Sequence, residues 1–305
     1  MFFESYPVAI LFVVSILCVV SHKTIIGAYV RKFKLKMSEH YLVSASYSLA
    51  CAITLLILNS FKINLSTYSL VLGIAFGFLI SLSQVSTSLA LQTGPYGYTN
   101  VITCFSTVIT ALSGFIFWGE TINAFKIIGI IFMLACFYFA VAKKEDDKKT
   151  NLKWFILALL TMISISLIGL TQKIHQMSEY KGELASFLLI AFVFSMVCSL
   201  IVFTVIRINE KKLSCEIENK IFETKQHLRI FLISALFCGI FVAFNNVLNL
   251  FLSGQVDTAI FFPIVNGLPL MASLLVSLFL FKEKMTKKQW IGIAFGVIGI
   301  AFLFI

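Results

Sequence analysis

Asn100, Thr103, Thr107 and Thr110 follow one another at spacings of three, four and three inside an apolar run, which sets all four side chains on one face of a helix. The pattern recurs in Ser81, Gln84, Ser88 and Gln92; in Thr161, Ser164, Thr171 or Gln172, and His175; in Asn245 and Asn249 beside Asn246; and in Asn266, Ser273 and Ser277. A carboxamide brings donors and an acceptor that all need partners, and in an apolar surrounding it is costly unless it faces a bundle interior or a wet cavity. The chemistry on offer is recognition of a small polar molecule by hydrogen bonds. Hydroxyls have a second use, because Ser and Thr bond back to their own helix carbonyls or join neighbouring helices. The amides Gln84, Asn245, Asn246, Asn249 and Asn266 therefore mark a binding site more strongly than the hydroxyls around them.

Bond-making chemistry has no comparable constellation. A catalytic site needs convergent acid, base, nucleophile or metal ligands, and no apolar run carries Asp or Glu in its middle; Asp257 and Glu183 stand at the ends of runs. His22, His40, His175 and His227 share no metal-ligand spacing, and the seven cysteines include no CxxC pair. No GxxxxGK[ST] segment is present, so ATP is not expected to drive the protein directly from this chain. Catalytic residues, a metal and a cofactor are all unexpected.

The elements that carry the polar stripes follow from composition. Of 305 residues 59% are apolar and only 12% charged, with a mean hydropathy of +0.98. Soluble domains carry about 25% charged residues, so the chain must be solvated by lipid. A bilayer core about 30 Å thick needs roughly 20 apolar residues per helix. Charge, Pro and Gly clusters divide the sequence into ten such spans, approximately 6–29, 40–58, 67–92, 98–118, 123–142, 152–175, 183–206, 230–252, 257–281 and 287–305. The first has no basic residue before it and no cleavage motif after it, and reads as a retained span. Continuous apolar runs exclude a barrel.

Net charge is +10, but 19 of the 24 Lys and Arg residues fall in the connections between spans 1 and 2, 5 and 6, 7 and 8, and 9 and 10. The excess is a topology signal: those connections are expected in the cytoplasm and both termini outside a cell or inner membrane, with no nucleic-acid partner. Within 207–229, Leu213, Ile217 and Ile221 suggest a short amphipathic helix on the membrane face, or else a solvated linker.

An internal repeat organises the spans. Glu120, Asn123, Lys126 and Gly129 superpose on Glu283, Thr286, Gln289 and Gly292 at an offset of 163, which also lays Thr103 on Asn266 and Thr110 on Ser273. An offset of 150 lays Ser21-His22-Lys23 on Thr171-Gln172-Lys173. Each half, 1–150 and 151–305, then holds five spans, and the odd number forces opposite orientation in the membrane. Glu120 and Glu283, each at the start of a following helix, read as structural helix caps that meet free N–H groups and the positive end of the helix dipole. Lys23 and Lys173 either pair with an anionic substrate group or snorkel to the interface.

The doubled pattern of Glu, cap, Lys or Gln, and Gly resembles the drug/metabolite transporter superfamily in its ten-helix EamA-like branch, as do Lys23, Lys173 and the run Phe262-Pro263-Ile264-Val265-Asn266. The resemblance implies an all-α integral membrane protein: ten transmembrane helices as two inverted five-helix repeats. It also implies a central cavity lined by helices 1, 3, 4, 6, 8 and 9, with helices 5 and 10 left for packing or pairing. Two opposed halves can rock about one site, which makes a secondary transporter for a small neutral or zwitterionic metabolite the leading expectation. An exporter of cationic drugs or quaternary amines lacks the membrane carboxylate that proton exchange needs, and a non-transporting subunit leaves the stripes and the duplication without a use. The candidate substrate contacts are Gln84, Asn100, Thr103, Thr107, Asn245, Asn246, Asn249, Asn266, Lys23 and Lys173. Asn266 lies about 13 Å into its span, near the middle of the core. A coupling ion stays open, as does the choice between monomer and homodimer.

Overall fold

Apolar runs that must satisfy every backbone group without water can only coil, and the computed structural model is α-helical wherever lipid-length runs occur. It describes residues 6–33, 35–93, 96–121, 123–141, 151–212, 224–280 and 286–304. The helices are α1 (Val8–Phe33), α2 (Met37–Leu58), α3 (Thr67–Thr93), α4 (Tyr96–Cys104), α5 (Ser106–Trp118), α6 (Ala124–Val141), α7 (Leu152–Gln176), α8 (Leu184–Lys212), α9 (Lys225–Ser253), α10 (Thr258–Leu280) and α11 (Lys287–Leu303). Eight spans among the described residues are long and apolar enough to cross a membrane; α6 is apolar but shorter. Outward side chains such as Phe279, 76% exposed, and Leu17, 60% exposed, suit a lipid solvent.

Two expectations are refined here. The fourth span is present as one apolar run but carries a one-residue irregularity: α4 ends at Cys104 and α5 begins at Ser106, with the Phe105 N–H turned onto the Ile102 carbonyl while its φ of -63° and ψ of -16° keep the helical sense. No Pro or Gly stands at this irregularity to announce it. The helices around the seventh connection also run further than hydropathy alone suggests, α8 to Lys212 and α9 from Lys225, because charged residues continue a helix once it leaves lipid. Leu213, Ile217 and Ile221 lie outside the described residues.

The chain forms two compact units. One comprises Leu17–Ser81 and Glu179–Leu248. Its α3 and α8 meet along a seam of small residues in which Gly73 faces Phe187, Gly77 faces Ala191, and Ser81 Oγ lies 3.3 Å from Ser195 Oγ. All three pairs share one offset, so the two helices run parallel in register. Without a hydrophobic driving force between helices in lipid, such close backbone approach is what holds them. At one end of the seam Glu183 accepts from Ser66 N at 2.9 Å and Ser66 Oγ at 2.7 Å. Gly239 of α9 rests on Ala50 and Cys51 of α2 in the same manner.

The other unit comprises Met1–Ile16, Leu82–Ser178 and Asn249–Ile305. Here α6 and α11 cross at Gly129 and Gly299, with Met133, Phe137, Ile130, Ala259 and Leu303 forming the core around them. Trp154 Nε1 donates to Thr99 Oγ1 at 2.7 Å and Thr161 Oγ1 to Ser86 Oγ at 2.9 Å. Gly169 lets α7 approach Phe262 and Thr110.

Candidate functional site

Helix α10 carries Pro263 and Pro269 inside it. Each lacks an N–H, so the carbonyl one turn earlier loses its intrahelical donor. Between these prolines stands Asn266, whose Nδ2 donates to Thr107 Oγ1 at 2.9 Å. Thr107 is buried at the first turn of α5, two residues past the Phe105 irregularity, while Asn266 is exposed. A helix with a one-residue irregularity thus meets a proline-weakened one through an amide and a hydroxyl. The Phe105 backbone itself stays helical and bonded, its N–H on the Ile102 carbonyl and its carbonyl accepting from Val108 and Ile109, so the polar groups offered here are side chains. The pair can offer hydrogen-bond donors and acceptors with no net charge.

A second cluster lies at the α10 N-terminus in the same unit. Gly119, at φ 63°, turns the chain after α5 so that the Glu120 carboxylate reaches Thr258, accepting from its backbone N and from its Oγ1, both at 2.7 Å. Gly114 leaves the room: a Cβ there would overlap the Glu120 carboxylate. The other carboxylate oxygen of Glu120 lies 3.0 Å from Lys173 Nζ, and that ammonium also donates to the Val256 carbonyl at 3.3 Å. Lys126 Nζ pairs with Asp257 at 2.8 Å and donates to the Thr121 carbonyl at 3.0 Å. Glu120 caps a helix, but the helix is α10; at the start of its own successor α6 the Lys126 N–H donates to Asn123 Oδ1 at 2.7 Å.

The remaining expected contacts are dispersed. Asn249 Oδ1 accepts from Ser15 Oγ at 2.6 Å. Asn246 turns back onto the Val242 carbonyl of its own helix at 2.9 Å. Gln84, Thr103 and Asn245 are half-buried, and Lys23 is exposed where its repeat mate Lys173 is buried. Asn100 lies in α4, its side chain not among those described, and Glu283 lies outside the described residues. Among the described residues no three His, Cys, Asp or Glu side chains converge as metal ligands.

Residues that sequence reasoning passed over include Ser15, Thr258 and Gly114; Asp257 was noted only as standing at the end of a run. Nothing local signals Ser15 or Thr258. The small-residue spacing Gly73-x3-Gly77-x3-Ser81, by contrast, was legible as a helix-packing signal.

The EamA-like transporter family model matches residues 152–305. Among solved structures 28 chains match, and one of them, a crystal structure of a protein, shares the fold with a TM-score of 0.72 at 10% identity, covering 97% of this chain and 95% of its own. No curated protein matches. With its C-terminal half matched by that model, carrying the Pro263–Asn266 run and the Thr286 cap of the second repeat motif, the chain belongs to the EamA-like transporter family, membrane transporters of the drug/metabolite type.

Proposed function

We propose that the protein is a secondary transporter of ten membrane-spanning helices in two inverted repeats, 1–150 and 151–305, moving a small neutral or zwitterionic metabolite by alternating access. The observation that carries this reading is the exposed Asn266 midway along an apolar helix, bonded to Thr107 beside a helix irregularity. An amide at that depth is affordable only where it meets water or a polar ligand. The nearby ionised groups favour an uncharged or charge-balanced substrate. Lys173 is answered by Glu120 and Lys126 by Asp257, leaving neither side chain of these pairs as an uncompensated charge for a cation or anion.

A thermal-shift screen of the purified protein over amino acids, nucleobases, vitamins and quaternary amines identifies the substrate class. A response confined to quaternary amines would replace this reading with the cationic exporter. With a substrate in hand, Asn266→Leu removes the polar contacts at similar volume and is expected to weaken binding by about 1 to 3 kcal/mol, roughly fivefold to 150-fold, while the melting temperature stays near wild type. Thr107→Val acts in the same direction. Wild-type affinity in both variants would move the site away from α5 and α10.

Orientation has its own test. With both termini outside, Cys215 faces the cytoplasm, so a variant retaining Cys215 alone is expected to resist an impermeant thiol reagent in intact cells and to react after lysis. Labelling in intact cells would invert the topology.

A further inference from the structure

A groove of about 570 Å³ runs along an exposed, apolar side of α2 and α9, in the unit that does not contain Asn266. From Ser46 to Leu58 it extends twelve residues, about 18 Å at 1.5 Å per residue, slightly more than the depth of one leaflet of a roughly 30 Å hydrocarbon core. Its walls hold no free polar group. The hydroxyls of Ser46 and Thr54 donate to the Leu42 and Ala50 carbonyls of their own helix, each at 2.8 Å. The rest are Leu, Ile, Ala and Phe side chains, among them Ile53, Ile57, Leu232 and Leu236, each half or more exposed. A polar metabolite finds no partner in such a groove, whereas a hydrocarbon chain fits it.

One end of the groove is basic. On α9 the groove-lining positions Leu232, Leu236, Ile240 and Phe244 are spaced four apart, and the same helical face continues through Arg229 and Lys225, both exposed. No Asp or Glu occurs in α9 to neutralise them. An anion held by Arg229 and Lys225 sits one turn from Leu232, where the apolar trough opens. We infer that the α2–α9 groove is a binding site for an anionic phospholipid, its phosphate on Lys225 and Arg229 and one acyl chain between Leu236 and Ile53. Charge-assisted bonds from Lys and Arg suit a phosphate, and Lys or Arg near a bilayer surface selects anionic lipids. A second copy of the chain is a poorer occupant. A twofold axis along the membrane normal would set Arg229 and Lys225 of the two copies at the same depth, like charge facing like charge. The inference is independent of which metabolite the transporter carries.

The purified full-length protein, stripped of lipid in a neutral detergent, tests it by titration with phosphatidylglycerol and with phosphatidylcholine of the same acyl chains. Native mass spectrometry reads occupancy and melting reads stabilisation. Wild type is expected to prefer phosphatidylglycerol by about thirtyfold, the contribution of two basic residues. Lys225→Gln with Arg229→Gln, both at exposed positions, should abolish the preference and leave a weak equal affinity for both lipids. Leu236→Trp fills the trough from an exposed position and should weaken both lipids together. Equal binding of the two lipids by wild type overturns the site, and so does a preference that survives the double substitution. A doubled mass with the groove lipid-free would assign the surface to a second copy instead.

Discussion

Glu120→Gln is expected to destabilise the protein by about 3 to 5 kcal/mol, read as a lowered melting temperature or denaturant midpoint in detergent. The neutral amide takes the anion away from Lys173, whose side chain is only 5% exposed, and leaves a buried ammonium with the Val256 carbonyl alone. It also weakens the two bonds that Thr258 donates at the start of α10. The cost arises from stranding a charge, so it should be largely reversed by removing the other one: Glu120→Gln with Lys173→Met is expected to melt above Glu120→Gln alone. Folded Glu120→Gln protein should still transport. Loss of transport at unchanged melting would mean that the carboxylate couples to substrate or ion and is not a brace.

Gly77→Ala should cost about 3 kcal/mol, the upper part of the range for overpacking. A Cβ on Gly77 overlaps the Ala191 backbone carbonyl, which cannot rotate away as a side chain would, so α3 and α8 must separate and lose the neighbouring contacts at Gly73 and Ser81. A graded series supplies the check. At Gly73 the nearest atom, the Phe187 carbonyl oxygen, lies 3.0 Å from the Cβ position, and Gly73→Ala is expected to cost less. At Gly27 a Cβ meets nothing within 4 Å, and Gly27→Ala should be neutral or slightly stabilising, since Ala is the better helix former by about 1 kcal/mol. A series in which Gly77→Ala melts like Gly27→Ala would show that the α3–α8 seam is not held by close backbone approach.

The same seam separates what local pattern encodes from what packing adds. Small residues four apart are visible in Gly73, Gly77 and Ser81, because a helix face is a local property. That the partner is α8, at Phe187, Ala191 and Ser195, is a contact between segments more than 100 residues apart, and nothing in either segment names the other.

Hydropathy and charge by themselves determined the solvent, the helical class and nearly all the helix positions, since lipid forces any run of about 20 apolar residues to satisfy its backbone by coiling. The repeated motif from Glu120 to Gly129 was enough to bring the transporter family into view. Tertiary structure decided the partners. Glu120 sits three residues before Asn123 and reads as a cap for α6, yet Asn123 fills that role and Glu120 closes α10 instead, because the turn at Gly119 and the space at Gly114 aim its carboxylate at Thr258. Lys23 and Lys173 align at the sequence offset of 150, but one is exposed and the other buried against a carboxylate. The irregularity at Phe105 carries no Pro or Gly to announce it, and it stands beside the Thr107–Asn266 pair that joins residues 159 positions apart. Periodicity tells which face of a helix is polar, whereas which polar group meets it depends on the distances that folding alone creates.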